Sequence, residues 1–217
     1  PIRWKTDARA EAARRPFHHQ VRIRETSFHL STDLAAAIPG IQTLYNTLAA
    51  DAERNDLIFN DVLTALAAGR SPLVITERAG HAESLADRLS RFAANVVLLR
   101  GGRSAGERRA AEDRLAAIPA NQERVLVATG RYLGEGFDDP RLDTLFLALP
   151  IAWRGTLAQY AGRLHRLYDG KHTVVIYDYV DSAVPVLARM AAKRRKGYGA
   201  LGYEIGEGDD LFESGSS

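Results

Sequence analysis

Continuous apolar runs alternate with amphipathic or capped segments from residue 72 onward. The five apolar runs cover residues 73–76, 96–99, 125–129, 144–149 and 173–177. Between the first two runs, apolar residues from Ala82 to Phe92 recur at helical spacing. Ser104 and Glu107 form a capping-box pattern at the start of a later helix. Apolar strands that alternate with helices are typical of a parallel sheet covered on both faces, so the pattern predicts an α/β fold with an open parallel sheet.

The region ahead of these strands carries weaker signals. Residues 20–26 alternate between polar and apolar side chains, with Val21 and Ile23 on one face, which predicts a short edge strand. Two amphipathic helices are predicted next, and the second of them ends at Gly69. We divide the chain into an arm with an edge strand (residues 1–40), a main α/β domain (41–205) and an acidic, glycine- and serine-rich tail (206–217), which we expect to be disordered.

Composition narrows the class of protein. The 217 residues are 46% hydrophobic and include no cysteine, which excludes disulfides and thiolate zinc sites. No apolar run has the length of a membrane span and no secretory signal is visible, so we expect a cytoplasmic protein with no membrane partner. The sequence starts at Pro1 and its single methionine is Met190, so we expect it to be part of a longer protein.

The net charge of +2 says little, but the basic residues are unevenly placed. Residues 1–24 hold seven lysines and arginines against two acidic residues. This arm could contact phosphates, or it could be a solvated linker behind a preceding domain, which is the simpler interpretation. The helix predicted after residue 184 is also basic and carries Arg189, Lys193, Arg194, Arg195 and Lys196. Net charge by itself does not identify a nucleic-acid-binding protein.

The carboxyl ends of parallel strands meet along one edge of the sheet, where open α/β folds bind their ligands. Gly101, Gly102 and Arg103 follow the second apolar run. Thr129 is the last residue of the third apolar run, and Gly130 comes directly after it. A glycine pair before a helix start presents backbone N–H groups, and a threonine hydroxyl adds a donor, so these residues are candidates for binding phosphate. An ordinary tight turn explains the glycine pair equally well.

Residues 156–168 are predicted to form a helix with two sharply different faces. Gln159, Arg163 and Arg166 lie on one face, at spacings of four and three residues. The opposite face is apolar and consists of Leu157, Tyr160, Ala161, Leu164 and Tyr168. Two guanidiniums one turn apart can clamp a phosphate, and the bare backbone of Gly162 beside them would let a ligand approach closely. A solvated arginine pair on a helix surface is the plainer alternative.

Two blocks of sequence together resemble a known family. Residues 159–166 read QYAGRLHR and resemble motif six, QxxGRxxR, of superfamily-two helicases and translocases. Residues 125–130 and 133–140 read VLVATG and LGEGFDDP and resemble motif five of the same family. The order of the blocks and the gap between them also fit, and the resemblance covers residues 17–205. The stretch from residue 196 to 203 resembles the tail that follows the helicase core in some bacterial restriction-associated and DNA-repair helicases.

The resemblance implies a fold and a set of roles around ATP. The chain would be the second, C-terminal RecA-like domain of a helicase: an open parallel sheet with helices on both faces, as in P-loop NTPases. Arg163 and Arg166 would act as arginine fingers on the γ-phosphate of ATP, and Gln159 would position that site or a water. Gly136 and Asp138 of motif five would lie at the ATP cleft between two domains.

The same resemblance implies partners. The backbone of DNA or RNA would pass over Gly102, Arg103, Thr129 and Gly130. ATP and its Mg²⁺ would be held mainly by an N-terminal RecA-like domain of the same protein, because the 217 residues contain no GxxxxGK[ST] loop and no Asp-Glu box. We therefore expect no metal site on this chain and negligible ATP hydrolysis by it alone.

Other interpretations stay open at this point. Asp138 could be a turn aspartate bonded to local backbone. Asp178 and Asp181 could hold a metal, although capping of the following helix is the simpler role. The chain could be a catalytically silent nucleic-acid-binding or scaffold domain of the same fold. It could also be a nucleotide-binding α/β enzyme outside the helicases, but residues 76–80 lack the glycine-rich turn that such an enzyme carries after its first strand.

Overall fold

The computed structural model describes residues 16–37, 39–102, 104–134, 137–151 and 156–206. Its strands are β1 His18–Glu25, β2 Pro72–Thr76, β3 Val96–Leu99, β4 Val125–Thr129, β5 Thr144–Leu147, β6 Thr173–Val180 and β7 Glu204–Gly206. Its helices are α1 Thr32–Ala36, α2 Ile41–Ala50, α3 Ala52–Ala67, α4 Ala79–Leu89, α5 Ala105–Ala116, α6 Gly130–Gly134, α7 Thr156–Leu164 and α8 Pro185–Ala200. Arg103, Gly136, residues 1–15 of the predicted arm and residues 207–217 of the predicted tail lie outside the described residues.

The described strands form one seven-stranded parallel sheet in the order β3-β4-β2-β5-β6-β1-β7. The predicted α/β fold with an open parallel sheet is therefore confirmed. The prediction that residues 20–26 form an edge strand is wrong, because β1 pairs with β6 on one side and with β7 on the other. Gly206, predicted to begin the tail, is instead the last residue of β7.

Successive side chains along the strands point to opposite faces of the sheet and pack in two separate apolar layers. In β2, Leu73 and Ile75 pack in one layer, with α7 and the end of α8. Val74, between them, packs in the other layer, with α3 and α4. Both faces of the sheet are thus covered by helices, as the continuous apolar runs predicted. A third, smaller cluster around Leu149 joins α2 to the start of α8.

Asp178 and Asp181 balance buried arginines and do not cap a helix. Both carboxylate oxygens of Asp178 accept from Arg194, and Tyr198 donates to one of them at 2.8 Å. Arg54 donates from Nε to Asp181 at 2.9 Å, and both side chains are fully buried. Helix α8 starts without a side-chain cap, so our expectation of a capping role was wrong. A buried guanidinium needs a paired carboxylate, and this requirement decides the role of both residues.

Within the described residues, no helix has both the length and the apolar character that crossing a bilayer demands.

Candidate functional site

The carboxyl ends of β2 and β4 meet helix α7 at Gly130. Tyr160 of α7 donates its hydroxyl to Oε1 of Glu77, just after β2, at 3.0 Å. A Cβ atom at Gly130 would overlap both the Tyr160 hydroxyl and the Glu77 carboxylate. Burial, with help from the Glu77 charge, raises the pKa of Tyr160, so its hydroxyl stays a donor. This junction fixes α7 against the sheet edge, and it requires glycine at residue 130.

The glycine pair after β3 forms a tight turn whose N–H group reaches β4. Gly101 donates its backbone N–H to Oγ1 of Thr129 at 2.9 Å. Gly102 has a φ of 79°, in the region that favours glycine. A Cβ atom at Gly101 would come within 2.8 Å of the Arg131 side chain. The structure therefore contains the tight turn, whereas phosphate binding by Gly102, Thr129 and Gly130 stays a prediction.

Helix α7 is shorter than predicted but has the predicted apolar face. Leu157, Tyr160, Ala161 and Leu164 are buried. The helix ends at Leu164, so Arg166 lies in the segment that follows it, and Tyr168 is 39% exposed instead of packing in the core. Gln159 is exposed on the outer face. The ammonium of Lys171 binds carbonyl groups at this end of the helix.

Arg163 and Arg166 both contact the loop region that carries motif five. Arg163 donates from Nη2 to the carbonyl oxygen of Leu133, the penultimate residue of α6, at 2.7 Å. Arg166 donates from Nε to Oδ1 of Asp138 at 2.9 Å. Nε of Arg163 is buried and has no partner among the described atoms. The plainer alternative of a solvated arginine pair fails for Arg163, because its guanidinium is held by backbone.

Asp139 faces the opposite way from its neighbour Asp138. Nη2 of Arg124, at the foot of β4, donates to both carboxylate oxygens of Asp139, and this pair is buried. The backbone N–H of Arg141 donates to the same carboxylate at 3.1 Å. The side chain of Asp138 is 41% exposed. The buried pair anchors the loop and leaves Asp138 at the surface to meet Arg166.

Lys171 is a residue of this region that our sequence reasoning missed. Its ammonium donates to the carbonyl oxygens of Pro140 at 2.5 Å, Leu164 at 3.2 Å and Arg166 at 2.8 Å. It thus takes up carbonyl groups at the end of α7 and ties them to the loop behind Asp138. Burial lowers the pKa of Lys171 to about 8. The sequence signal that could have found it is a glycine followed by a lysine, Gly170 and Lys171, shortly after the predicted helix.

Comparison with known proteins yields one sequence relative and many similar structures. No family model matches the chain. The uncharacterized protein 108L of Invertebrate iridescent virus 3 is 38% identical over 84 residues, which are 39% of this chain and 76% of the viral protein.

Three solved structures illustrate the shared fold. T4 UvsW matches with a TM-score of 0.66 and 15% identity, over 89% of this chain and 42% of UvsW. The C-terminal domain of the DEAD-box protein Dbp5 matches with a TM-score of 0.55 and 16% identity, over 89% of this chain and 92% of that domain. S. cerevisiae Dbp5 bound to RNA and ADP BeF3 matches with a TM-score of 0.57 and 15% identity, over 96% of this chain and 44% of Dbp5.

The chain thus spans less than half of UvsW and of the longer Dbp5 chain, and nearly all of the separate Dbp5 C-terminal domain. Its coverage of the viral protein, at 38% identity, is enough to establish common descent. The chain belongs to the family of protein 108L and has the fold of helicase C-terminal RecA-like domains.

Proposed function

We propose that this chain is the second motor domain of an ATP-dependent nucleic-acid helicase or translocase, in which Arg163 and Arg166 act as arginine fingers. The observation that carries the proposal is the attachment of both arginines to residues 133–138. Arg163 is held by the Leu133 carbonyl and Arg166 by Asp138. This brings the two motif-like blocks into one constellation. The fold match to helicase C-terminal domains supports the same assignment.

The residues present fit a phosphate ligand. The side chain of Arg166 is 57% exposed, and it holds Asp138 through Nε, which leaves its other nitrogens for a γ-phosphate. Arg163 keeps an Nε–H group without a partner among the described atoms. Gln159 is exposed one turn ahead of Arg163 and would orient a water or a phosphate oxygen. Gly136, outside the described residues, and Asp138 would border the nucleotide.

The mechanism assigns charge stabilisation to this chain. ATP with Mg²⁺ would be held mainly by a partner RecA-like domain that carries a phosphate loop. Closure of the two domains would bring Arg163 and Arg166 onto the γ-phosphate, where guanidiniums stabilise the charge of the transition state. Asp138 would keep Arg166 extended toward that position in the open state. Because the turn at Gly101 and the helix α7 meet the same sheet edge, closure would also move the predicted nucleic-acid contacts.

The nucleic-acid contacts are proposed along the carboxyl edge at Gly102, Thr129 and Gly130, together with Arg103, which lies outside the described residues. Dbp5, which has a similar fold, has been solved with RNA and ADP BeF3. Backbone N–H and hydroxyl groups bind phosphate oxygens without reading bases. Weak sequence preference is therefore expected, on DNA or on RNA.

The test is ATP hydrolysis by the natural protein that contains this chain, with any domain that precedes residue 1. Arg163→Ala and Arg166→Ala should each lower kcat by about 10³-fold or more, in the range measured for arginine fingers elsewhere. Arg91→Ala is the matched control, because Arg91 is an exposed arginine paired with Asp87 on α4. Near-normal hydrolysis in either finger variant would overturn the assignment.

A catalytically silent nucleic-acid-binding or scaffold domain is the second candidate. The lack of a phosphate loop within the 217 residues is compatible with both candidates. It predicts that the natural protein binds nucleic acid and does not hydrolyse ATP. Robust turnover that disappears in Arg166→Ala would exclude this candidate. The isolated chain should hydrolyse ATP negligibly under either proposal.

A further inference from the structure

The exposed face of helix α8 carries basic side chains that take no part in the packing of the fold or in the proposed arginine site. Arg189, Lys193, Arg195 and Lys196 are all exposed. Within the described part of the chain, no ion pair or hydrogen bond involves their side chains. The helix contains no acidic residue from Pro185 to Ala200. Four solvated cations on a single helix, with no neighbouring acid on that helix, form a strongly positive surface.

Helical geometry arranges three of these cations in a row. Arg189, Lys193 and Lys196 are separated by four and three residues and therefore lie on one strip of the helix, which we call the α8 strip. It spans about 10 Å along the axis, from the rise of 1.5 Å per residue. Exposed small residues, Ala192 and Ala200, flank the strip and keep it open to a large ligand.

The helix is a fixed platform for this strip. Arg194, on the opposite side, is 1% exposed and donates to both oxygens of Asp178 in β6. Tyr198 is fully buried and donates to the same carboxylate. These bonds neutralise the charge of Arg194 and fix the rotation of α8 about its axis. The α8 strip therefore faces away from the sheet.

The α8 strip is separate from the proposed ATP and nucleic-acid contacts. Helix α8 packs against β6 and β7, whereas Gly102 and Thr129 lie at the ends of β3 and β4. β4 and β6 are three strand positions apart in the sheet, or about 14 Å at the usual strand spacing. A ligand on the α8 strip would therefore not occupy the carboxyl-edge site.

We propose that the α8 strip is a second nucleic-acid contact, which binds the phosphodiester backbone outside the carboxyl edge. A row of cations about 10 Å long matches about three phosphates of one duplex strand, at 3.4 Å each along the axis. The apolar side of α8 is packed on the sheet, so the helix cannot insert into a lipid surface as an interfacial helix does. A regularly charged polyanion is the partner that the spacing of these cations favours. This inference does not depend on the arginine fingers.

The test measures binding of the 217-residue protein to fluorescein-labelled 20-nucleotide single-stranded and duplex DNA by fluorescence anisotropy at several salt concentrations. The variant Arg189→Gln with Lys193→Gln removes two charges from the α8 strip. The control Arg88→Gln with Arg91→Gln removes two charges from α4 and the turn after it, which pack in the other apolar layer. Circular dichroism melts establish that both variants fold.

We expect the strip variant to lower the slope of log K against log salt for duplex DNA by about 2, because each phosphate contact contributes about 0.9. Its affinity at 0.1 M salt should fall at least tenfold, while the control variant changes little. Equal losses in both variants would reduce the effect to net charge and overturn the proposal. An unchanged slope in the strip variant would overturn it as well.

Two further measurements distinguish the α8 strip from the arginine site and DNA from competing polyanions. Arg163→Ala should leave the salt slope unchanged, so failure of the arginine-finger proposal and failure of this one are distinguishable. Binding to vesicles of phosphatidylserine or to polyglutamate that depends on the strip, without a matching dependence for DNA, would assign the face to a membrane or an acidic protein and overturn the proposal.

Discussion

Arg166 and Asp138 form an ion pair, with Nε 2.9 Å from Oδ1, between the segment that follows α7 and the loop that follows α6. The two side chains are 57% and 41% exposed. An ion pair with this exposure contributes little to stability because water and salt screen it. We therefore expect this pair to orient Arg166 and not to stabilise the fold.

Asp138→Asn should separate the positioning role of this pair from any structural role. The free energy of unfolding should change by less than about 0.5 kcal/mol, since the pair is largely exposed. ATP hydrolysis by the natural protein should fall at least tenfold, because Arg166 loses the group that orients it. Urea unfolding and steady-state ATPase assays check the two expectations. Loss of stability with normal turnover would contradict the positioning role.

Gly130→Ala should destabilise the protein by about 1–3 kcal/mol, as expected for overpacking. The new methyl group would overlap the Tyr160 hydroxyl and the Glu77 carboxylate. Thermal or urea unfolding measures the loss, and Tyr160→Phe in the same chain should restore part of it. Gly162→Ala is the matched control: its methyl group would meet nothing within 4 Å, and alanine in a helix is favoured by about 1 kcal/mol. A stabilising Gly130→Ala would show that the junction is looser than described.

Lys171→Met should cost about 2–4 kcal/mol of the free energy of unfolding. The substitution keeps the length of the side chain but leaves the carbonyls of Pro140, Leu164 and Arg166 without the ammonium. Lys193→Met, on the exposed face of α8, is the control and should change stability by less than about 0.5 kcal/mol. Equal effects of the two substitutions in urea unfolding would show that the ammonium does not hold the end of α7.

His81 should make the protein less stable at acidic pH. The ring is 4% exposed and lies between Thr76 Oγ1 at 3.0 Å and Asn55 Oδ1 at 2.8 Å. Burial and the nearby Arg54 charge lower its pKa from 6.5 to about 4. Below pH 6.5 the unfolded chain therefore takes up a proton that the folded chain takes up only near pH 4, so stability falls as pH falls.

The expected loss between pH 6.5 and pH 4 is up to about 3 kcal/mol relative to His81→Gln, at 1.36 kcal/mol for each pKa unit. Urea unfolding of both proteins across this pH range measures the difference, because the carboxylates that also titrate there are common to both. Parallel stability curves for the two proteins would show that His81 accepts a proton as readily when folded as when unfolded.

The layered α/β fold was predictable because continuous apolar strands and helical spacing are local signals. The position of β1 was not, because the partner that removes it from the edge is β7, a strand of three residues. Three residues are too few to display a period. The sequence therefore predicted that β1 exists but not that it lies inside the sheet.

The proximity of Arg163, Arg166 and Asp138 was predictable from the two motif-like blocks, and their contacts agree with it. The backbone partner of Arg163, the carbonyl group of Leu133, was not predictable. The role of Lys171 depends on three carbonyl groups brought together by the fold. Likewise, Asp178 and Asp181 gave no local sign that Arg194 and Arg54 would be buried beside them.

The place of β1 in the sheet also sets the order in which the chain can assemble. His18 pairs with Thr173, so the first strand has no neighbour until the ribosome has produced almost the entire domain, roughly 8–30 s later at usual rates of translation. During that interval its hydrogen-bonding edges are open to other chains. A protein that starts at residue 41 would lack β1. Strand β6 would then have an unpaired edge, and β7 would have no neighbour among the described strands. The shortest fragment of this sequence that folds correctly should therefore begin before His18.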